Sequence, residues 1–176
     1  MSGNPRLSHL LSQLVNPKKN DSESTQNSAT WDELYNLLKQ DLPKDLRFEP
    51  GPTLNAIFAM YQTLLANDSD NSKQTMRALC RVARLLLSPR FESLFCPSVM
   101  RMTEFAEKLL DCTVANLGAV VSLGSEYSQH VLGLLQSSLA ALELRLVQLN
   151  TPRKTFQTIM DKFFSNLLHI RGAVMN

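Results

Sequence analysis

Glycine and aromatic residues are scarce in this sequence, and both shortages argue against a fold built on β-strands. The 176 residues include six glycines, and aromatic side chains make up 7% of the total. Strands favour aromatic and β-branched side chains, whereas leucine, the commonest of the hydrophobic residues here, favours helices. The composition therefore predicts an all-α fold, and the length predicts a single ordinary domain.

A large excess of charge of either sign is also missing. The formal net charge is +2 and the isoelectric point lies near 8.5, which is too mild to indicate a dedicated nucleic-acid-binding or membrane-binding protein. The three cysteines, Cys80, Cys96 and Cys112, lack the paired spacing of a disulfide framework or a zinc site. We interpret them as reduced residues of the core.

Long apolar runs and targeting segments are absent from the sequence as well. A membrane-spanning helix needs about 18 consecutive apolar residues, and the amino-terminal leucine cluster lacks the cleavage site of a secretory signal. We expect an intracellular, soluble protein with no membrane partner.

The chain divides near residue 29. Residues 16–29 are polar, rich in serine and asparagine, and without apolar periodicity, so residues 1–29 are predicted to be a flexible tail with a short amphipathic segment. A capping-box pattern from Thr30 to Glu33 then predicts the first helix of a domain that covers residues 30–176. We expect this domain to be helical-repeat-like and part of a larger array.

Beyond Thr53 the apolar residues recur at steps of three and four, which is the pattern of a buried helical face. Helices are predicted at about 53–67, 72–87, 98–122, 126–149 and from 152 onward. The apolar stripe of the helix that begins near residue 72 comprises Met76, Leu79, Cys80, Ala83, Leu86 and Leu87. Even spacing and short turns predict an antiparallel helical stack that is α-solenoid-like, of the HEAT or armadillo kind.

Residue patterns that carry catalytic or metal chemistry are missing. His9, His130 and His169 lie far apart, and none has the spacing of a metal-binding pair. We interpret His130 as a surface or boundary residue of its helix. The sequence predicts no catalytic residue, no cofactor and no metal site; a small helical enzyme would require a buried cluster of polar side chains that the spacing does not indicate.

One charged pattern suggests a binding surface. Lys73, Arg77, Arg81 and Arg84 follow one another at steps of four, four and three, so they form a row on the helix face opposite the Met76 to Leu87 stripe. Such a row can contact RNA phosphates or an acidic partner. It also fits an ordinary solvated face, because no aromatic residues are interleaved with it.

A resemblance to a known family extends from about Ser72 to Gly172. A leucine-rich helix leads into a junction of the Asn-x-Arg-basic-x-Phe type, formed here by Asn150, Pro152, Arg153, Lys154 and Phe156, and a further helix ends at Leu167, Leu168 and Arg171. The segment LCRVARLLLSPRFESLF fits a second pattern, a cysteine-containing helix followed by a short break. In these features the chain resembles the amino-terminal region of the family of large nucleolar scaffolds called unhealthy ribosome biogenesis protein two.

The resemblance implies a non-enzymatic scaffold segment in the nucleolus, with a role in large ribosomal subunit biogenesis and pre-ribosomal RNA processing. Members of the family are much longer than this chain, which would then be a fragment. The implied partners are pre-ribosomal assembly factors and pre-ribosomal RNA, with no small-molecule substrate. A helical protein-interaction adaptor in trafficking or signalling would show the same helical pattern and would differ in its partners, so this alternative stays open.

Overall fold

The computed structural model describes residues 5–15, 27–40, 50–67, 69–88 and 99–148, together with the helical positions Gln157, Asp161 and Ser165. Within these ranges every regular element is a helix, so the predicted all-α helical stack is confirmed. The helices are α1 (Pro5–Val15), α2 (Ser28–Gln40), α3 (Pro50–Leu65), α4 (Asp70–Leu86), α5 (Val99–Ala115), α6 (Leu117–Ser122) and α7 (Ser125–Gln148).

The helices pack as three pairs arranged in two layers. Helices α1, α3 and α5 form one layer, in which α3 contacts both of its neighbours, and α2, α4 and α7 form the other, in which α4 lies between α2 and α7. Across the layers α1 contacts α2, α3 contacts α4, and α5 contacts α7, while the short α6 packs on α5 and α7. Stacked helix pairs of this kind are typical of α-solenoids.

Helix α4 is the central element because it packs against α2, α3 and α7. Its predicted apolar stripe is buried throughout, and further positions of the helix are buried as well, namely Ser72, Thr75, Ala78 and Val82. The side chain of Ser69 caps its first turn by accepting a 3.2 Å hydrogen bond from the backbone N–H of Ser72. The short turn before this cap makes α3 and α4 an antiparallel hairpin.

Hydroxyl groups that face the core form hydrogen bonds within the helices and between them. Thr113 donates to the carbonyl of Leu109 at 2.6 Å, so the hydroxyl of Tyr61, 2.5 Å away, is the donor in the bond between these two side chains. Ser138 donates in the same way to the carbonyl of Leu134 at 2.9 Å. Such bonds to the preceding turn let polar residues occupy a packed helical interface at little cost.

The amino-terminal segment differs from the predicted flexible tail. Pro5–Val15 forms helix α1, and its leucines at positions 7, 10 and 11 are buried against the rest of the core. An ion pair with two hydrogen bonds, 2.7 and 2.9 Å long, joins Arg6 to Glu33 of α2. The amphipathic segment that the sequence placed within the tail therefore belongs to the helical stack, whereas residues 16–26 lie outside the described ranges.

Two helix boundaries also differ from the predicted ones. Helix α2 begins at Ser28, before the predicted cap at Thr30, because the side chain of Asn27 accepts a 3.0 Å hydrogen bond from the N–H of Ala29. The single helix predicted for residues 98–122 is interrupted at Asn116, which separates α5 from α6. The predicted break at Gly124 is confirmed, and its φ of 87° is a conformation that suits glycine.

A pair of leucine substitutions tests the central position of α4. Leu79 is fully buried in the core, so Leu79→Ala is expected to lower the free energy of unfolding by about 2–5 kcal/mol. Leu132 on α7 is 49% exposed, and Leu132→Ala is expected to change stability by less than about 0.5 kcal/mol. Chemical denaturation of both variants measures the difference, and equal losses would contradict the packing described for α4.

Candidate functional site

A groove of about 720 Å³ lies along the outer side of α4, between α2 and α7. Helix α4 provides its floor, and the two neighbouring helices provide its walls. The lining residues are Tyr35, Arg77, Arg81, Arg84, Leu85, Ser88, His130 and Ser137. Three of the four residues in the predicted basic row therefore meet in one concavity, and we call this feature the arginine groove.

Helical periodicity explains how each helix contributes to the groove. Arg77, Arg81 and Arg84 lie on one face of α4 because steps of four and three return to the same side of a helix, and the positions between them, 78–80, 82 and 83, are buried. His130 and Ser137 are separated by two turns of α7, so they project on the same side of that helix. The groove thus collects the polar faces of helices that are distant in sequence.

Arg81 is held in place by two residues of α2. Its Nη1 donates a 3.3 Å hydrogen bond to Oδ1 of Asp32, in an ion pair whose side chains are about half exposed. Its guanidinium carbon also lies 4.2 Å from the ring centroid of Tyr35, a distance that allows cation–π attraction. Both contacts restrict the rotamers of Arg81 and fix its charge at the α2 wall.

Arg84 is held on the opposite side, against α7. Its Nε donates a 3.3 Å hydrogen bond to the hydroxyl of Ser137. A Cβ atom built on Gly133 would lie 2.8 Å from Nη1 of Arg84, closer than such contacts occur. The missing side chain of Gly133 therefore gives the guanidinium room to lie against the helix backbone.

The remaining two residues of the basic row differ from each other. Arg77 is exposed at the edge of the groove, and no hydrogen bond or ion pair of its side chain is found within the described ranges. Lys73 is half-buried and lies outside the groove lining. The predicted row of four is therefore a groove with three arginines and a separate lysine.

His130 faces a strongly positive environment. Its half-buried ring has a lowered pKa, first because burial disfavours the imidazolium and then because Arg77, Arg84 and Arg81 repel its positive charge, while Glu126 acts in the opposite direction. The neutral ring accordingly prevails near pH 7. The sequence interpretation of His130 as a boundary residue agrees with its burial, but its place among the arginines was not predicted.

Other chemistry-bearing groups lie apart from the groove. Cys80 is buried in the core, where desolvation raises the pKa of its thiol to about 12, so this thiol stays protonated at neutral pH. A second cavity, of about 330 Å³, lies between α3 and α5, where Lys108 sits 6.0 Å from the ring centroid of Phe58. Among the described residues no cluster of three or more potential metal ligands is found, and none of the helices described is long and apolar enough to cross a membrane.

The family resemblance depends in large part on a junction that follows α7 in the sequence. Its junction residues Asn150, Pro152, Arg153, Lys154 and Phe156 lie outside the described residues. Comparison of the chain with protein-family models, curated proteins and solved structures finds no match. The relationship to nucleolar scaffolds stays a prediction.

Replacement of His130 is expected to change how stability depends on pH. Because its pKa is lower in the folded state than the roughly 6.5 of an unfolded chain, the folded state binds fewer protons. The stabilising contribution is complete above pH 6.5 and is lost as the pH falls through the lower folded value. His130→Gln should therefore lose less thermal stability than the parent protein between pH 7.5 and 5.5, as melting temperatures in dilute buffer will show; identical losses would contradict this assignment.

Substitution of Gly133 tests the packing of Arg84. Gly133→Ala should add about 0.5–1 kcal/mol of helix propensity, while its new methyl group displaces the flexible end of the Arg84 side chain from Ser137. We expect unchanged or slightly raised stability together with a shifted Nε–H resonance of Arg84 in the NMR spectrum. A large loss of stability would instead show that the helix backbones must separate.

Proposed function

We propose that this chain is a non-enzymatic scaffold segment of the nucleolar type, which acts in large ribosomal subunit biogenesis and pre-ribosomal RNA processing by binding other assembly factors. The resemblance of residues 72–172 to the nucleolar scaffold family supports the biological setting. The stack of helix pairs supports the mode of action, since stacked pairs offer extended surfaces to partners.

The arginine groove is the observation that carries the proposal. Arginine stays protonated at every physiological pH and presents a planar set of donors suited to carboxylates and phosphates. In the groove, Arg81 is positioned by Asp32 and Tyr35, and Arg84 by Ser137. Positioned cations in a concavity suit the recognition of an anionic partner, because little rotamer entropy remains to be lost on binding.

The proposal is tested with the tagged full chain in cultured eukaryotic cells. We expect nucleolar localisation and co-purification of large-subunit assembly factors, measured by imaging and by affinity purification with mass spectrometry. Reversal of two groove charges, Arg77→Glu with Arg84→Glu, should reduce the recovery of these factors several-fold because both substituted residues line the groove. Lys108→Glu serves as the control, since Lys108 is an exposed cation that lines the separate cavity between α3 and α5.

The partners recovered in this experiment separate the two candidate functions. Enrichment of trafficking or signalling proteins with a cytosolic distribution would contradict the nucleolar proposal and support the alternative, a helical adaptor outside ribosome biogenesis. Equal recovery of assembly factors by the groove variant and the control would show that another surface binds them.

A further inference from the structure

We infer that the arginine groove binds an acidic segment of a partner protein, whose two carboxylates pair with Arg77 and Arg84 while an apolar side chain just beyond the second carboxylate rests on Leu85. This inference rests on the proposed scaffold function and names the chemistry of the partner. The groove combines cations with the aliphatic side chain of Leu85 and the hydroxyls of Ser88 and Ser137. Such a mixed lining matches a peptide better than a uniformly charged chain.

The spacing of the two exposed arginines matches the repeat of a protein helix. Arg77 and Arg84 are separated by seven positions of α4, which corresponds to about 10 Å along the axis. Carboxylates seven positions apart on a docked helix have the same separation and lie on one side of that helix. An amphipathic acidic helix can therefore place one carboxylate on each arginine at once.

Two of the three groove arginines form no ion pair with an acidic residue in the described part of the chain. Asp32 pairs with Arg81 and so offsets one of the three arginines. Arg84 bonds to the neutral hydroxyl of Ser137 and keeps its full charge, and Arg77 is exposed at the groove edge. Two uncompensated guanidinium groups suit two acidic side chains, and each charge-assisted pair contributes more than a neutral hydrogen bond.

The same features disfavour a strand of RNA. Non-specific single-strand binding uses aromatic rings on which bases stack, together with a longer track of cations along the backbone. Tyr35 is the aromatic ring of the groove wall, and the guanidinium of Arg81 lies 4.2 Å and the ammonium of Lys39 5.7 Å from its centroid. With its ring engaged by side chains of this chain, Tyr35 is a poor stacking platform for a base.

His130 couples this binding to pH. The groups that act on its ring are the three groove arginines from α4 and Glu126 from its own helix. In the free protein burial and the arginines favour the neutral form, and Glu126 opposes them. An incoming carboxylate adds negative charge and stabilises the imidazolium. Proton uptake then accompanies binding, so the affinity for an acidic peptide rises as the pH falls from 7.5 to 6.

The experiment is a titration of the isotope-labelled full chain, observed at the arginine Nε–H and histidine ring resonances by NMR. The probe is a synthetic helical peptide with two glutamates seven positions apart and a leucine one turn beyond one of them on the same face. A peptide of identical composition with the glutamates on opposite faces and a single-stranded oligouridylate RNA are the comparison ligands. We expect the first peptide to shift the resonances of Arg77, Arg84 and His130 and to bind more tightly than the rearranged one.

Matched variants then separate specific from general electrostatic binding. Arg77→Glu is expected to weaken peptide binding roughly tenfold or more, whereas Lys108→Glu, which makes the same change in net charge elsewhere, should weaken it less than about twofold. The rise in affinity at low pH should disappear in His130→Gln. Retention of the folded spectrum in each variant excludes loss of structure as the cause.

Three results would overturn the inference. Preferential binding of the RNA would identify the groove as an RNA site, and equal binding of both peptides would show unspecific attraction. Absence of binding by every probe to the folded chain would remove the groove as an acidic-segment site. In that last case co-purification of assembly factors from cells would still support the scaffold proposal through another surface, so the two failures are distinguishable.

Discussion

The burial of α4 on three sides is the constraint from which the other features of this structure follow. Because α2, α3 and α7 all pack against it, most of its faces must carry apolar or small residues, and those at Leu79, Cys80, Val82 and Ala83 are excluded from solvent. Along this part of α4, charged side chains can reach solvent only on the narrow face that is not packed against another helix. The arginines of α4 are therefore forced into the space between α2 and α7, where the neighbouring helices supply their contacts.

Much of the fold follows from periodicity that is visible in the sequence. Steps of three and four predicted the buried face of α4, and Gly124 predicted the start of α7, because local sequence determines both helical amphipathicity and chain reversal. The same spacing occurs at Leu7, Leu10 and Leu11, but the polar stretch after them favoured a tail. The position of α1 in the stack is determined by its packing against helices that come later in the chain. No local sequence pattern reveals such packing.

The candidate site was predictable only in part, for a related reason. The arginine row was visible because its members share one helix, whereas Tyr35 and His130 reach the groove from helices about 40 to 50 residues away in sequence. No spacing rule connects residues on different helices when the order of packing is unknown. The sequence therefore indicated a charged surface. In the tertiary structure this surface is a concavity that also contains the ring of Tyr35 and the titratable ring of His130.

The stack of helix pairs has a consequence for local unfolding of the protein. In such an array each pair is stabilised by its immediate neighbours, so the loss of one pair need not disturb those that it does not contact. Detachment of α1 and α2 would remove the α2 wall, with Asp32 and Tyr35, while α4 and α7 stayed together with Arg84 between them. Because Trp31, Leu34 and Leu38 of α2 are buried in the common core, such detachment would expose apolar surface to water. Arg81 therefore keeps its contacts with Asp32 and Tyr35 for as long as α2 stays packed, and the cost of opening the groove on this side is set by the core.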